Sequence, residues 1–450
     1  MFIVLSLFTF YLYALGYALT SQVGDRVRLC DRLGLGIAVG MLVNFALMLS
    51  GQTITRVFAA GAIVASWGVY QLLKRFKTRA PIGLRTLVVP ALSFACLAYV
   101  LSLYYAEVLS EPLEHWDARS IWFFHAKMIW TEGALRQSAG WNHPSLAFSN
   151  PDYPKLVPSI AAQLGYLKGY WNEFLPKGSL LVMLVPLSLW VFSFFEKSLS
   201  FVLLLCMFFF GFGAWLWNGY MDGYVALYAG VALLLFGRYL AESRNADLYA
   251  GMCALGLAAN IKNEGLLVGL CVLTAMALIS VARYHTDLWS STQRLIGNGM
   301  FVKILIISLA PMVMWAICKR AWGLQNDLAG DPMGGVTRLW NRLIDGATPQ
   351  YLLQFLTVRA NAIWVAAGLV AIIAALSSYR RAGLHPGAIV AASTAALYFV
   401  GIAAVYLTTP HDILPYYLLT SATRTMATAS MALFIALFFL LSRVEAHAAD

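Results

Sequence analysis

The stretch from Glu111 to Lys155, EPLEHWDARSIWFFHAKMIWTEGALRQSAGWNHPSLAFSNPDYPK, sets Asp117, Arg119, Lys127 and Asp152 among tryptophans and prolines between two strongly apolar runs. Charged side chains beside such runs lose hydration, so they are retained where they have a partner or a task. Further ionisable residues stand at the ends of later apolar runs: Asp222 in WNGYMDGY, Lys262 and Glu264 in AANIKNEG, and His411, Asp412 and Arg424 in TTPHDILPYYLLTSATR. A carboxylate at the mouth of a bilayer can take a proton from an acceptor hydroxyl or amine, and neighbouring Lys and Arg can hold a phosphate leaving group. Trp116, Trp122, Trp130 and Trp141 would hold the loop at headgroup level and offer flat faces to a sugar ring.

The elements that must position these residues follow from composition. Hydrophobic residues make up 60% of the 450, charged residues only 12%, and the mean hydropathy is +0.72, which excludes a soluble globule. The expected fold is an all-α polytopic membrane protein, with about 12–13 transmembrane helices at roughly 20 residues each. The apolar runs place them near 2–19, 34–50, 57–73, 86–108, 179–195, 200–216, 223–240, 248–261, 265–282, 302–319, 359–377, 387–408 and 425–442. Residues 1–85 then form N-terminal helices with a basic link, 86–318 a transmembrane core that includes a large first outer loop at 109–178, 319–358 a second outer loop, and 359–450 the C-terminal helices. The segment from Pro154 to Trp171 is apolar for only about a dozen residues between its prolines and Lys168, and reads as interfacial or re-entrant. An amphipathic helix is expected at VTRLWNRLI in the second outer loop.

The formal charge of +10 does not form a stripe interleaved with aromatics, so nucleic acid is not an expected partner. The basic residues lie in short links instead. Alternating the spans gathers Arg26, Arg28 and Arg32, then Lys74, Arg75, Lys77, Arg79 and Arg85, then Arg238 and Arg244, then Arg380 and Arg381 on one side, which the positive-inside bias makes cytoplasmic. Glu111 to Lys155 then faces the exterior. Met1 to Thr20 lacks a basic leader region and a clear cleavage site, and reads as a retained first helix. The six cysteines form no CxxC pair, and no GxxxxGK[ST], HExxH or GxSxG motif occurs.

WDARSIWFFHAKMIW followed by NPDYPKLVP resembles the bacterial integral-membrane glycosyltransferases of the GT-C superfamily, in which a WDA-type acidic motif opens the large outer loop and HPDYP closes it. GYMDGYVALYAGVALLLF is similar to that group's G-Y-x-D segment, NIKNEGLL to its T-K-x-E-G turn, and TTPHDILPYYLLTSATR to its pattern near the last span. The resemblance extends from about Thr86 onward and implies an enzyme of the bacterial inner membrane whose site faces the periplasm. It would move a sugar from a polyprenyl-phosphate donor to a lipid, surface glycan or protein acceptor, with inversion. By this resemblance Asp117 is the catalytic base and Asp222 a second acid, orienting acceptor or metal. Lys262 and Arg424 are donor-phosphate cations, with Glu264, Lys127, Asp152, Tyr153 and Lys155 as further substrate-binding candidates. No certain cofactor follows from it, and a divalent cation, Mg2+ or Mn2+, is compatible with the acids. Membrane lipids are the remaining partner. Asn150 stands where the group has histidine, Asn260-Ile261 precede Lys262 where it has threonine, and three or four helices precede Glu111 where the best-known members have one.

Each residue also has a structural reading. Asp117 could cap the helix DARSIWFFHAKMIW and pair with Arg119 or Arg136, Asp152 could cap the helix after Pro154, and Asp222 could cap the span that begins at Gly223. Lys262 and Glu264 could form an ion pair at a turn, Arg424 could snorkel to headgroups, and His115, His125 and His143 read as interfacial residues, not metal ligands. The competing functions are a transporter or flippase of lipid-linked glycans, and an O-antigen-ligase-like enzyme using a diphosphate-linked glycan. The first would show charges near the bilayer midplane, the second an Arg- and His-rich late loop.

Overall fold

The structure is a computed structural model, and it describes all residues except 24–26, 79–83, 105–109, 197, 285–292, 294, 325–331, 360–366, 374–383, 410–413 and 450. Arg26, Arg79, Arg380, Arg381, His411, Asp412, much of the expected 359–377 span and most of NDLAGDPMGG lie outside the described residues. The side chain of Arg85 does too.

Apolar backbone in lipid must satisfy its own N–H and C=O groups, and this chain does so by helices. Among the described residues there is no strand, only an isolated bridge between Thr53 and Ala134. Nine helices among them are long and apolar enough to cross a membrane. They are α1 (Phe2–Thr20), α2 (Leu29–Leu49), α3 (Ile54–Thr78), α4 (Leu84–Leu103), α9 (Asp222–Glu242), α11 (Asn263–Tyr284), α12 (Gly299–Ala321), α15 (Pro386–Thr408) and α16 (Leu414–Ala449). Shorter helices intervene: α5 (Phe123–Glu132), α6 (Leu156–Lys168), α7 (Gly178–Phe192), α8 (Leu199–Phe210), α10 (Asn245–Ile261), α13 (Pro332–Asp345) and α14 (Ala347–Arg359).

Against the expected 12–13, nine candidates stand among the described residues, and most of the 359–377 run lies outside them. The runs at 179–195, 200–216 and 248–261 form helices of 15, 12 and 17 residues, against the roughly 20 that a full crossing takes. The reason is visible in α7, which is apolar all round and buried at every position. A helix of that kind answers to its protein neighbours, α2, α4 and α9, and need not match the lipid. The 13 residues of α6 are about 20 Å long, too short for a span. It packs on α5, and Gln163 exchanges two amide hydrogen bonds with Asn44 of α2, at 2.7 and 3.2 Å. The amphipathic helix expected at VTRLWNRLI is contained in α13.

The first helices pack closely and into the core. A Cβ on Gly16 would lie 1.8 Å from the Gly36 carbonyl oxygen, and one on Gly40 1.9 Å from that of Leu12, so only glycine allows α1 and α2 this approach. On its other faces α2 meets α7, α10 and α12. At one end of the bundle Arg238 of α9 is buried between Asp31 of α2 (2.8 Å) and Asp247 of α10 (2.6 Å), while Arg244 also reaches Asp31 at 3.3 Å. Arg238 is thus a tie between three helices, not a solvated basic residue of a link. Sixteen residues earlier along α9, about 24 Å away, Asp222 opens the other end.

Candidate functional site

Asp222 is buried as the first residue of α9, and its carboxylate accepts a hydrogen bond from Lys262 Nζ at 2.8 Å through Oδ1. Lys262 is the single extended residue (φ −151°, ψ 156°) between α10 and α11. The break is tight: Gly265 N–H bonds back to the Lys262 carbonyl, and a Cβ on Gly265 would sit 1.9 Å from the Ala258 carbonyl oxygen. That turn aims the ammonium between Asp222 and Glu264, the latter 3.1 Å away. Burial works against the charged Lys262, but Asp222 and Glu264 outweigh it and hold its pKa well above the usual lysine value.

Asp117 completes the constellation from the loop. It precedes a five-residue π-turn, Ala118–Trp122, and makes no side-chain capping bond. Its Oδ2 instead accepts from Arg424 Nη1 of α16 at 2.5 Å, and the same nitrogen is 3.6 Å from Asp222 Oδ2. The capping role and the pairing with Arg119 or Arg136 are thereby replaced by a partner 307 residues away. Arg136 bonds the Gly51 carbonyl. Arg424 does not snorkel outward; its guanidinium lies over the Tyr220 ring, 4.3 Å from the centroid. Gly219 fixes this approach: its φ is +86°, and a Cβ there would come 2.6 Å from the Ala118 Cβ. Asn218 Oδ1 accepts from the Tyr220 N–H at 3.0 Å, closing the turn that presents Tyr220 and Asp222.

The turn Asn150–Pro154 supports the site from behind. Asn150 adopts φ 48°, a left-handed conformation that asparagine tolerates better than most residues. Tyr153 stacks on Trp122 at 5.4 Å and lies 5.7 Å from Lys262 Nζ. Burial, then Glu264, raises the Tyr153 hydroxyl well above its ordinary pKa, so it stays protonated. Asp152 does not cap α6, whose N-cap is Lys155 with no side-chain capping bond. Its Oδ2 accepts from Asn263 Nδ2 at 2.8 Å, and its carbonyl accepts from Trp315 Nε1 at 3.2 Å.

Two candidates fall elsewhere. Lys155 is fully buried away from the cluster; its Nζ contacts His125 Nδ1 at 3.1 Å and donates to the Pro151 carbonyl at 2.8 Å, with the Trp141 and Trp315 rings beside it. Burial drives the pKa of both Lys155 and His125 well down, and His125 is a buried residue, not an interfacial one. Lys127 is exposed and lines a separate cleft of about 510 Å³ with Glu114, Arg119, Phe124, Trp171 and Glu173. Tyr220 and Asn263 join the site without having been singled out by sequence, although each lies within two residues of a charged residue that was.

Five ionisable groups from four separate segments thus meet: Asp117, Asp222, Lys262, Glu264 and Arg424. No protein-family model, curated protein or solved structure matches this chain. What the constellation can do rests on its own chemistry. Three carboxylates face two cations, so the fully ionised cluster carries one negative charge in excess. Asp222 Oδ2 and Glu264 Oε2 are buried and accept no hydrogen bond, and Asp117 Oδ1 has no partner among the described residues. These oxygens can take a proton or accept from hydroxyls. No group of three His, Cys, Asp or Glu suited to a metal occurs among the described residues, and Lys262 stands between Asp222 and Glu264. A cleft of about 810 Å³ between α9, α10, α11 and α12 runs from Ala259 and Leu266, one turn from the cluster, to Ser243 and Ser280 at the opposite end, walled by Leu248, Met252, Leu273 and Phe301.

Proposed function

We propose that this protein is a membrane glycosyltransferase of the GT-C kind, moving a sugar from a polyprenyl-phosphate donor to a hydroxyl or amine of a lipid, glycan or protein acceptor at the periplasmic face of the bacterial inner membrane. The observation that carries the reading is the meeting of Asp117, Asp222, Lys262, Glu264 and Arg424 at one end of an apolar bundle. It gathers residues that the resembling motifs hold apart in the chain. In this reading Asp117 takes the acceptor proton, the acceptor oxygen or nitrogen bonds the anomeric carbon, and the bond from that carbon to the phosphate oxygen breaks, so the polyprenyl phosphate leaves and the anomeric centre inverts.

Arg424 and Lys262 are already engaged by carboxylates, so a donor phosphate must displace one. Arg424 is the exchangeable cation: it is held by Asp117 from a loop, whereas Lys262 is enclosed between two helical acids. A phosphate that takes Arg424 would release Asp117 Oδ2 and create the base as the donor arrives. The apolar cleft that starts one turn from Lys262 suits the donor's lipid chain. A flippase is less favoured, because the cluster sits at helix ends and not at mid-span.

The test is Asp117→Asn in the purified, reconstituted protein with a polyprenyl-phosphate sugar and a lipid acceptor. Loss of a general base lowers turnover by about 10²- to 10⁴-fold while the donor still binds. Wild-type turnover by the folded variant would rule the base assignment out, and comparison of glycolipid masses from cells with and without the protein would separate transferase from flippase.

A further inference from the structure

Helix α13, Pro332–Asp345, presents three distinct faces at 100° per residue. Gly335, Arg338, Leu339 and Arg342 turn toward the protein, where Arg338 Nε donates to the Thr408 carbonyl at 2.8 Å and Arg342 Nη1 to that of Leu407 at 2.8 Å. Those carbonyls close the end of α15, so the two arginines cap a helix that is long and apolar enough to cross a membrane. A second face carries Thr337, Asn341 and Asp345. The third is a stripe of about 100° made of Met333, Val336, Trp340, Leu343 and Ile344, whose exposures are 79, 63, 66, 53 and 69%.

This inverts the order of a helix on a soluble surface, in which the apolar stripe faces the core and the charges face water. Here both arginines turn inward onto the carbonyls that end α15, and the apolar stripe is left outside. Because the arginines fix α13 to the end of α15, its depth is set at the level where that span leaves the hydrocarbon. We infer that α13 lies in the headgroup boundary of the bilayer, with Met333, Val336, Trp340, Leu343 and Ile344 inserted among lipid chains and Thr337, Asn341 and Asp345 facing water. The bilayer fits better than a second copy of the chain, since an apolar stripe flanked by a polar edge at a span's end matches a lipid boundary. A tryptophan at the centre of the stripe belongs at that depth. The same level holds the charged cluster: Tyr406 of α15 shares its hydroxyl with Ser421 and Thr425, which flank Arg424. The inference does not depend on the proposed activity.

The experiment places a photo-reactive benzoylphenylalanine singly at Val336, Trp340 or Asn341 in the full-length protein reconstituted in phosphatidylcholine vesicles. Intact phospholipid adducts are then read by mass spectrometry. Adducts at Val336 and Trp340 several-fold above those at Asn341 are expected. Equal yields at the three positions, crosslinks from Val336 and Trp340 to protein, or no lipid adduct at either position would each overturn the assignment. All three side chains are exposed, so none of the replacements disturbs packing.

Discussion

Replacing Lys262 by Met leaves the buried Asp222 carboxylate without its 2.8 Å partner and deprives Glu264 of its 3.1 Å contact. Removing one member of a buried ion pair destabilises a protein by about 3–5 kcal/mol, because the remaining charge keeps its desolvation penalty. Two features put this case at the lower end, about 3 kcal/mol: Arg424 stands 3.6 Å from Asp222 Oδ2, and Glu264 is partly hydrated. The decisive comparison is with the double variant Asp222→Leu plus Lys262→Met, which removes both charges and replaces them with apolar groups of similar size. Such replacements are frequently neutral or stabilising, so the double variant should be more stable than Lys262→Met alone. The assay is unfolding of the purified protein in one detergent at one pH, comparing wild type, the two single variants and the double variant as a cycle. Unfolding of a membrane protein this large is compared by rank, not by absolute free energy. Since the pKa of Lys262 is raised on folding, its contribution is complete below the unfolded value of about 10.4 and fades only above it. The effect of Lys262→Met should therefore be unchanged across neutral pH. A Lys262→Met protein as stable as wild type, or strictly additive effects in the cycle, would refute a buried Asp222–Lys262 pair.

Gly219→Ala should destabilise by more than about 1 kcal/mol, because it sets a side chain in a left-handed conformation 2.6 Å from Ala118, and it should lower transfer by displacing Asp117. Gly269→Ala is the matched control, inside α11 with open space around it, and should be neutral or stabilising by about 0.4–1 kcal/mol in thermal unfolding. Lys155→Met should lose a pH dependence: burial keeps the folded Lys155 pKa far below the unfolded value of about 10.4, so the unfolded chain binds the extra proton and wild-type stability rises with pH through that window. Melting temperatures of the two proteins, followed from neutral to alkaline pH, should diverge in favour of wild type, and a constant difference would contradict a Lys155 pKa lowered by burial.

Sequence patterning revealed the elements better than their lengths. Apolar runs bounded by turn residues located α1, α2, α9, α11, α12 and α15 closely, because a helix that crosses the bilayer must meet its thickness. It overestimated α7, which is buried along its whole length and so released from that requirement, and α8, which stops at Phe210 where Gly211 and Gly213 interrupt the run. At the site, Asp117, Asp222, Lys262, Glu264 and Arg424 could be picked out as charges at the ends of apolar runs, but not their pairing. The Asp117–Arg424 contact joins residues 307 apart, and only the tertiary fold brings them together. Lys155 and Lys127 show the limit of the approach. Both stand in the charged loop, yet one is enclosed by tryptophans and the other lines a different cleft, and no local spacing distinguishes them from Lys262.

The same five groups could also serve only to tie the loop, α9, α11 and α16 together, and the network at the other end of the bundle shows what a tie looks like. There Arg238 gives Asp247 two hydrogen bonds and Asp31 one, adds bonds to the Ser193 hydroxyl and carbonyl, and Arg244 takes the second oxygen of Asp31. Both carboxylates there are fully used. At the Asp222 end two buried carboxylate oxygens accept nothing, a third on Asp117 stays open, and acids outnumber cations. A buried acceptor left without a donor is destabilising by about 1–3 kcal/mol, so an arrangement selected for stability alone would resemble the Arg238 network. The open oxygens are placed to accept from the donors of a bound ligand, which in the proposed reading are the hydroxyls of a sugar and its acceptor.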